Sequence, residues 1–227
     1  MSTKVEFAVQ MTCDSCVKSV KKSLDVPGVS SVDVNLDTNT VVVDSTLRTE
    51  EILQKLQSTG RKAVVKGYAG TSAAVCVLEI GSGVVKGVVR FMQVDPNTCI
   101  IDGTIDGLNP GKHGLFVNEC GDISNGCNNI GECFNPKLIK AGGDERIYGD
   151  LGIVAAEEDG RASFRLADCV VKVPEIIGRS LVVTELPTGG NRLACGVIAR
   201  SSGLFQNPKT ICSCDGITIW DEKNSPK

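Results

Sequence analysis

Histidine is nearly absent: the chain has one, His113, among 227 residues. Copper or zinc sites built from several imidazoles are therefore excluded by composition alone. Aromatic residues make up only 4%, and no basic stripe interleaves with them, so nucleic acid is not an expected partner. Neither sign of charge dominates: 24 Lys+Arg against 27 Asp+Glu leave a formal net charge of −3, too little to steer a polyanion. No apolar run is long enough to span a bilayer. The opening MSTKVEFAVQMTCD has no basic stretch followed by a long apolar segment, so a soluble, unsecreted, cytoplasmic protein is expected.

Cysteine is plentiful by contrast. Eleven cysteines in a chain of this length, an odd number without a secretory leader, argue for free thiols in a reducing compartment, compatible with one buried disulfide. Two pairs are close in sequence: Cys13 and Cys16 in MTCDSC, and Cys212 and Cys214 in ICSCDG. Soft thiolates select Cu(I), zinc or an Fe–S cluster, which points to a metal carrier. The competing reading is that both pairs are disulfides or ordinary buried thiols. In the CxC pair a disulfide would be strained and a strong donor, whereas the reduced pair would clamp a soft metal.

From Lys4 to Tyr68 the pattern alternates between strand and helix periods. Val5–Val9 reads as a strand, Val17, Val20 and Leu24 recur at helical spacing, and Val26-Pro27-Gly28 stops that helix. Val29–Asn35 and Thr40–Asp44 read as strands about a turn at 37–39. A second helix over Thr49–Ser58 and a last strand over Ala63–Lys66 complete a βαββαβ, ferredoxin-like order. Cys13 and Cys16 fall on the first loop and helical turn, where amide N–H groups favour thiolate. Met11 is expected to pack as core beneath the loop. Lys62 could offset the negative charge of two thiolates around a bound metal, or be a solvated lysine. A thioredoxin-like enzyme also carries CxxC, but its usual flanking aromatic and proline are missing. The segment MTCDSCVKSVKKSLDVPGVSSVDVNL resembles the heavy-metal-associated domains of copper chaperones and copper-pumping ATPases. The resemblance implies that Cys13 and Cys16 ligate Cu(I).

Small residues at 69–73 mark a linker. Beyond it, short β-branched runs separated by Gly- and Asp-rich turns predict a Greek-key β-barrel or sandwich, with a long functional loop over 121–149. The segments GKHGLFVNECGD, NGCNNIGECFNP, YGDLG, GRSLVV and NRLACGVIA resemble Cu,Zn superoxide dismutase over most of 74–200. By that resemblance the metal ligands have been lost. Phe116 and Asn118 stand at copper positions, Cys133 at the bridging position and Tyr148 at a zinc position, and Asp150 alone survives. His113 matches a structural histidine. Dismutation is therefore not expected, and zinc is doubtful. Cys120 and Cys133 with Asp150 could hold a stray metal, although scattered core thiols are the more economical reading. The resemblance further implies a Cys127–Cys195 disulfide and an Arg192 that anchors the loop. It also implies a dimer face including Gly121, Asp122, Ile198 and Arg200.

The tail from 201 carries the CxC pair, and Phe205 and Trp220 are its candidate docking residues, onto another surface or its own barrel. The whole order resembles the copper chaperones for superoxide dismutase: domain 1–68, linker 69–73, domain 74–200, and a mostly irregular tail 201–227. That implies Cu(I) delivery to Cu,Zn superoxide dismutase in a heterodimer, with Cys212 and Cys214 acting in copper transfer or disulfide exchange. A homodimer, a membrane copper transporter as donor, and a fraction in the mitochondrial intermembrane space are further expectations. A copper-buffering protein, or a thiol–disulfide oxidoreductase acting through the tail, is the alternative.

Overall fold

The computed structural model describes residues 1–139 and 145–207. The described residues form two compact units, Met1–Gly70 with Ser202–Asn207, and Thr71–Ser201. Among the described residues no helix is long and apolar enough to cross a membrane.

The first unit has the expected order β1 (Thr3–Val9), α1 (Asp14–Ser23), β2 (Val29–Asn35), β3 (Thr40–Ser45), α2 (Thr49–Gln57) and β4 (Ala63–Tyr68). Its antiparallel sheet runs β2-β3-β1-β4. Alternation places Val5, Phe7 and Val9 of β1 on one face with Val41 and Val43 of β3, where Val20, Leu24, Ile52, Leu53 and Leu56 of the helices cover them. Each such side chain contributes roughly 1.5–3 kcal/mol when removed from water. Gly28, at φ +93°, makes the left-handed turn that ends the α1 connection, a conformation L side chains rarely adopt.

The second unit is all-β. Its strands are β5 (Ser72–Leu78), β6 (Ile80–Gly81), β7 (Lys86–Asp95), β8 (Thr98–Asp106), β9 (Gly111–Asn118) and β10 (Ser124–Cys127). They continue with β11 (Asp150–Ala156), β12 (Ala162–Asp168), the short α3 (Val173–Ile176), β13 (Ser180–Leu186) and β14 (Gly189–Arg200). The sheet order β13-β9-β11-β12-β8-β7-β5-β14 closes on itself through β13–β14 pairing, giving an eight-stranded barrel without a free edge. Leu78, Val89, Phe91, Ile101, Leu115 and Ile198 fill its core. Asp102 and Arg165 face each other across the β8–β12 pair, 3.1 Å apart, so this buried carboxylate is charge-compensated.

Two differences from the sequence expectations stand out. β11 departs from the short β-branched runs expected of this domain, because Gly152 and the alanines at 155 and 156 dilute the signal that marks its neighbours. The first residues of the tail are irregular, as expected, but they dock on neither the barrel nor another molecule: Ser202–Asn207 belong to the first unit, where Gly203 bridges to Tyr68.

Candidate metal centre

Cys13 is the N-cap of α1, held extended at φ −163°, ψ 170°. The Cys16 N–H donates to the Cys13 carbonyl at 2.9 Å, so the loop closes into the first helical turn. Two contacts from the β2–β3 turn steady that loop. The Met11 N–H donates to Asn39 Oδ1 at 2.8 Å, and the Val9 N–H donates to the Asn39 carbonyl at 2.8 Å. Asn39 sits at φ +55°, a left-handed conformation that asparagine tolerates better than most residues. Met11 is buried, as expected of a core residue beneath the loop.

The two sulfurs lie 3.6 Å apart. Typical metal–thiolate bonds are about 2.3 Å, so one soft ion can touch both. Cys13 is exposed and Cys16 is buried, which gives an ion an open side and a seated side. Both thiols are acidified. The Cys13 thiol is lowered chiefly by the Ser15 hydroxyl, 2.9 Å away, and then by the Cys16 backbone. Cys16 is lowered to about 6, first by the Thr12 backbone, next by the Arg61 side chain and then by the Thr12 hydroxyl. The cation at this site is thus Arg61, with its neighbour Lys62 exposed. Sequence reasoning offered Lys62 either as this cation or as a solvated lysine and missed Arg61, which lies in the turn just before β4.

The barrel is different. His113 is buried, with Nδ1 3.1 Å from the Thr184 carbonyl and Nε2 2.8 Å from the Asn109 carbonyl, so neither nitrogen is directed at a metal. Asn118 donates to the Gly131 carbonyl at 2.8 Å, and Tyr148 OH accepts from the Lys172 N–H at 2.8 Å. The Asp150 carboxylate accepts from the Gly152 N–H at 2.9 Å. Phe116, Asn118, Cys133, Thr184 and Arg192 line a pocket of about 280 Å³. Burial pushes the Cys133 thiol up to about 11, with the Asp150 charge adding to the effect. Among the described residues no three His, Cys, Asp or Glu side chains come together as a metal site, and the Cys120–Cys133–Asp150 alternative is not assembled. Burial likewise pushes Cys76 and Cys99 up to about 12. These thiols are neutral core residues.

Cys127 and Cys195 are bonded, with their Cα atoms 5.8 Å apart. Arg192 donates from Nη1 to the Cys127 carbonyl at 2.7 Å and from Nη2 to the Gly131 carbonyl at 2.6 Å, tying the same loop to β14.

Of the residues expected at the partner face, Gly121 is half-buried, while Asp122 and Arg200 are exposed. Asp122 is partly occupied locally, accepting from the Ser124 hydroxyl at 2.6 Å. Ile198 is a correction: it is wholly buried in the barrel core, because β14 alternates and Ile198 points inward. Val197, Ala199 and Arg200 are the outward residues there, while Ile177, 36% exposed, and Gly178 stand beside them. The Gly178 carbonyl lies so close to Gly121 that a methyl group on Gly121 would collide with it. Gly178, at φ +82°, turns the chain there in a conformation that favours glycine. Cys212, Cys214 and Trp220 lie outside the described residues. Phe205 docks through its main chain, with its side chain 72% exposed.

The heavy-metal-associated domain family matches residues 6–62, and the copper/zinc superoxide dismutase family matches residues 85–198. The human copper chaperone for superoxide dismutase is 51% identical over 98% of this chain and 89% of its own length. The Arabidopsis thaliana chloroplastic/cytosolic counterpart is 37% identical over 97% of this chain and 70% of its own. The Saccharomyces cerevisiae superoxide dismutase 1 copper chaperone is 27% identical over 96% of this chain and 92% of its own. The likeness runs through both units in one continuous match, and the chain belongs to the family of copper chaperones for superoxide dismutase.

Proposed function

We propose that this protein carries copper as Cu(I) on Cys13 and Cys16, delivers it to an immature Cu,Zn superoxide dismutase docked as a heterodimer, and promotes closure of the client's internal disulfide. The observation that carries the reading is the pair of acidified sulfurs 3.6 Å apart at the start of α1, in a chain whose barrel keeps a single buried histidine. Thiolate pairs favour Cu(I) over harder ions, and the exposed Cys13 leaves the ion open to attack by a further ligand. Copper then moves by stepwise exchange of thiolates, with no change of oxidation state.

The barrel contributes recognition. Its outward residues Gly121, Ile177, Val197 and Arg200 form the face on which a related barrel would sit, with the disulfide and Arg192 holding the adjacent loop in shape. Cys212 and Cys214 supply the redox step from their oxidised form. A client thiolate attacks one sulfur, the other leaves as thiolate, and the client's second thiolate resolves the mixed disulfide. The electron pair ends on the CxC pair, which a two-electron acceptor must reoxidise.

The test is maturation of apo superoxide dismutase by the Cu(I)-loaded chain, with a chelator present that removes free copper. Copper content, client disulfide and dismutase activity are read together. Expected is full maturation by the native chain, loss of copper transfer in Cys13→Ser/Cys16→Ser, and loss of disulfide closure in Cys212→Ser/Cys214→Ser. Retention of copper on the chain with an immature client would instead favour copper buffering. Disulfide closure by the native chain with no copper transferred to the client would favour a thiol–disulfide oxidoreductase.

A further inference from the structure

The copper/zinc superoxide dismutase match implies a metal in the barrel, and the donor set there does not fit one. Among the described residues no three His, Cys, Asp or Glu side chains converge. Asp150 is turned to the Gly152 N–H, while Tyr148 OH accepts from the Lys172 N–H and shares a further hydrogen bond with Glu175. The connection from β10 to β11 is long, and its order therefore needs a cause other than coordination.

Main chain supplies the first part. The Phe134 N–H donates to the Val117 carbonyl at 2.8 Å, the Gly149 N–H to the Phe134 carbonyl at 2.8 Å, and the Val117 N–H to the Gly149 carbonyl at 2.7 Å. These three bonds close a triangle that joins β9 to both limbs of the connection. Gly149 has no room for a side chain, since a Cβ would strike the Val117 carbonyl. Side chains supply the second part. The Phe134 and Tyr148 rings meet edge to face, centroids 5.2 Å apart and planes at 76°. The Arg179 guanidinium lies over the Phe134 ring, 3.4 Å from its centroid, where the ring quadrupole attracts a cation.

Arg179 also reaches the docking face. Its Nε donates to the Glu175 carbonyl at 2.8 Å, and its Nη1 to the Glu119 carbonyl, just past β9, at 2.8 Å. The Arg179 carbonyl accepts from the Ile198 N–H at 2.8 Å, and the Gly178 N–H donates to the Ile198 carbonyl at 2.9 Å. The Gly178 carbonyl is the atom packed against Gly121. One side chain thus connects the loop, the end of β9 and the turn at Ile177 and Gly178.

Building on the docking reading above, we infer that Arg179 is a positioning residue: stacked on Phe134, it fastens the long loop without a metal and holds Gly121, Ile177 and Gly178 as a client meets them. The barrel is then competent to dock whatever the supply of zinc.

The experiment is residue-resolved amide exchange on the full-length protein, in EDTA and with equimolar zinc. The Phe134 and Gly149 N–H groups report the loop, Gly178 reports the docking turn, and Val89, wholly buried in β7, reports the barrel. Arg179→Met keeps the stem and removes the cation. Phe134→Leu removes the ring, and Phe134→Tyr retains its face.

Expected in the native chain is slow exchange at all four, changed by less than about twofold between EDTA and zinc. Arg179→Met should speed Phe134, Gly149 and Gly178 by about tenfold and leave Val89 unchanged. Phe134→Leu should speed the amides of residue 134 and Gly149 comparably, and Phe134→Tyr should stay within about twofold of native, a rescue that apolar bulk alone does not give. If Arg179→Met also speeds Val89, the contrast between Phe134→Leu and Phe134→Tyr decides. Loop exchange slowed about tenfold by zinc overturns the inference, as does native exchange in Arg179→Met or a Phe134→Tyr that behaves like Phe134→Leu. The assay contains no client, so a failure of the docking reading leaves its result intact.

Discussion

Arg61 offers the sharpest test of how this site is tuned. Cys16 is lowered from an ordinary thiol value of 9.0 to about 6, with the Arg61 side chain the second cause after the Thr12 backbone. At pH 7 a thiol of pKa 9.0 is about 1% ionised and one of pKa 6 about 90%, so the native Cys16 meets a soft ion largely as thiolate. Arg61→Met keeps the bulk and removes the charge and the donor, while the larger Thr12 contribution remains. The midpoint of Cys16 ionisation should therefore rise, stopping short of the unperturbed thiol value. Because the sulfurs are 3.6 Å apart and titrate as a pair, the measurement belongs in a Cys13→Ala background, where the smallest of the named causes has been removed. The assay is the pH dependence of iodoacetamide alkylation of Cys16, followed by peptide mapping. The direction of the pH effect on binding follows. Between about pH 6 and 9 a normal thiol must lose a proton to bind Cu(I) and Cys16 need not, so the proton dependence of apparent affinity should be shallower in the native chain than in Arg61→Met. An alkylation midpoint near that of a free cysteine in the native chain, or no upward shift on Arg61→Met, would refute the reasoning.

Removing the Cys127–Cys195 bond should destabilise the barrel by about 4 kcal/mol, the chain-entropy value for so long a closed loop, read as a lower denaturation midpoint of that unit in Cys195→Ala. Ile177→Glu places a charge on the proposed docking face, so client heterodimer formation should be lost in sedimentation while circular dichroism stays native. Asn39→Ala removes the acceptor for the Met11 N–H and should cost about 1 kcal/mol in unit stability, with weaker Cu(I) retention in chelator competition, because the metal loop loses its support. Leu56→Ala, wholly buried between helix and sheet, should destabilise the first unit by roughly 2–5 kcal/mol in urea unfolding.

Much of this architecture is local physics written along the chain. Alternating Val5, Phe7 and Val9, the helical recurrence of Val20 and Leu24, and the stops at Pro27-Gly28 and Gly60 determine the βαββαβ order without help from distant residues. The CxxC spacing determines that both thiols meet at one helical turn, and the lone histidine determines that no multi-imidazole site exists anywhere. Tertiary structure decided what depends on residues far apart in sequence. Arg61 faces Cys16 because β4 returns beside β1, a register no single-strand pattern reveals. Ile198 turned inward because barrel closure, with β14 paired to both β13 and β5, chose which side of the strand is core. The Glu6 carboxylate found its donor at Phe205, since a buried charge on a sheet is satisfied by whatever main chain the fold brings over it, and sequence distance carries no information about that.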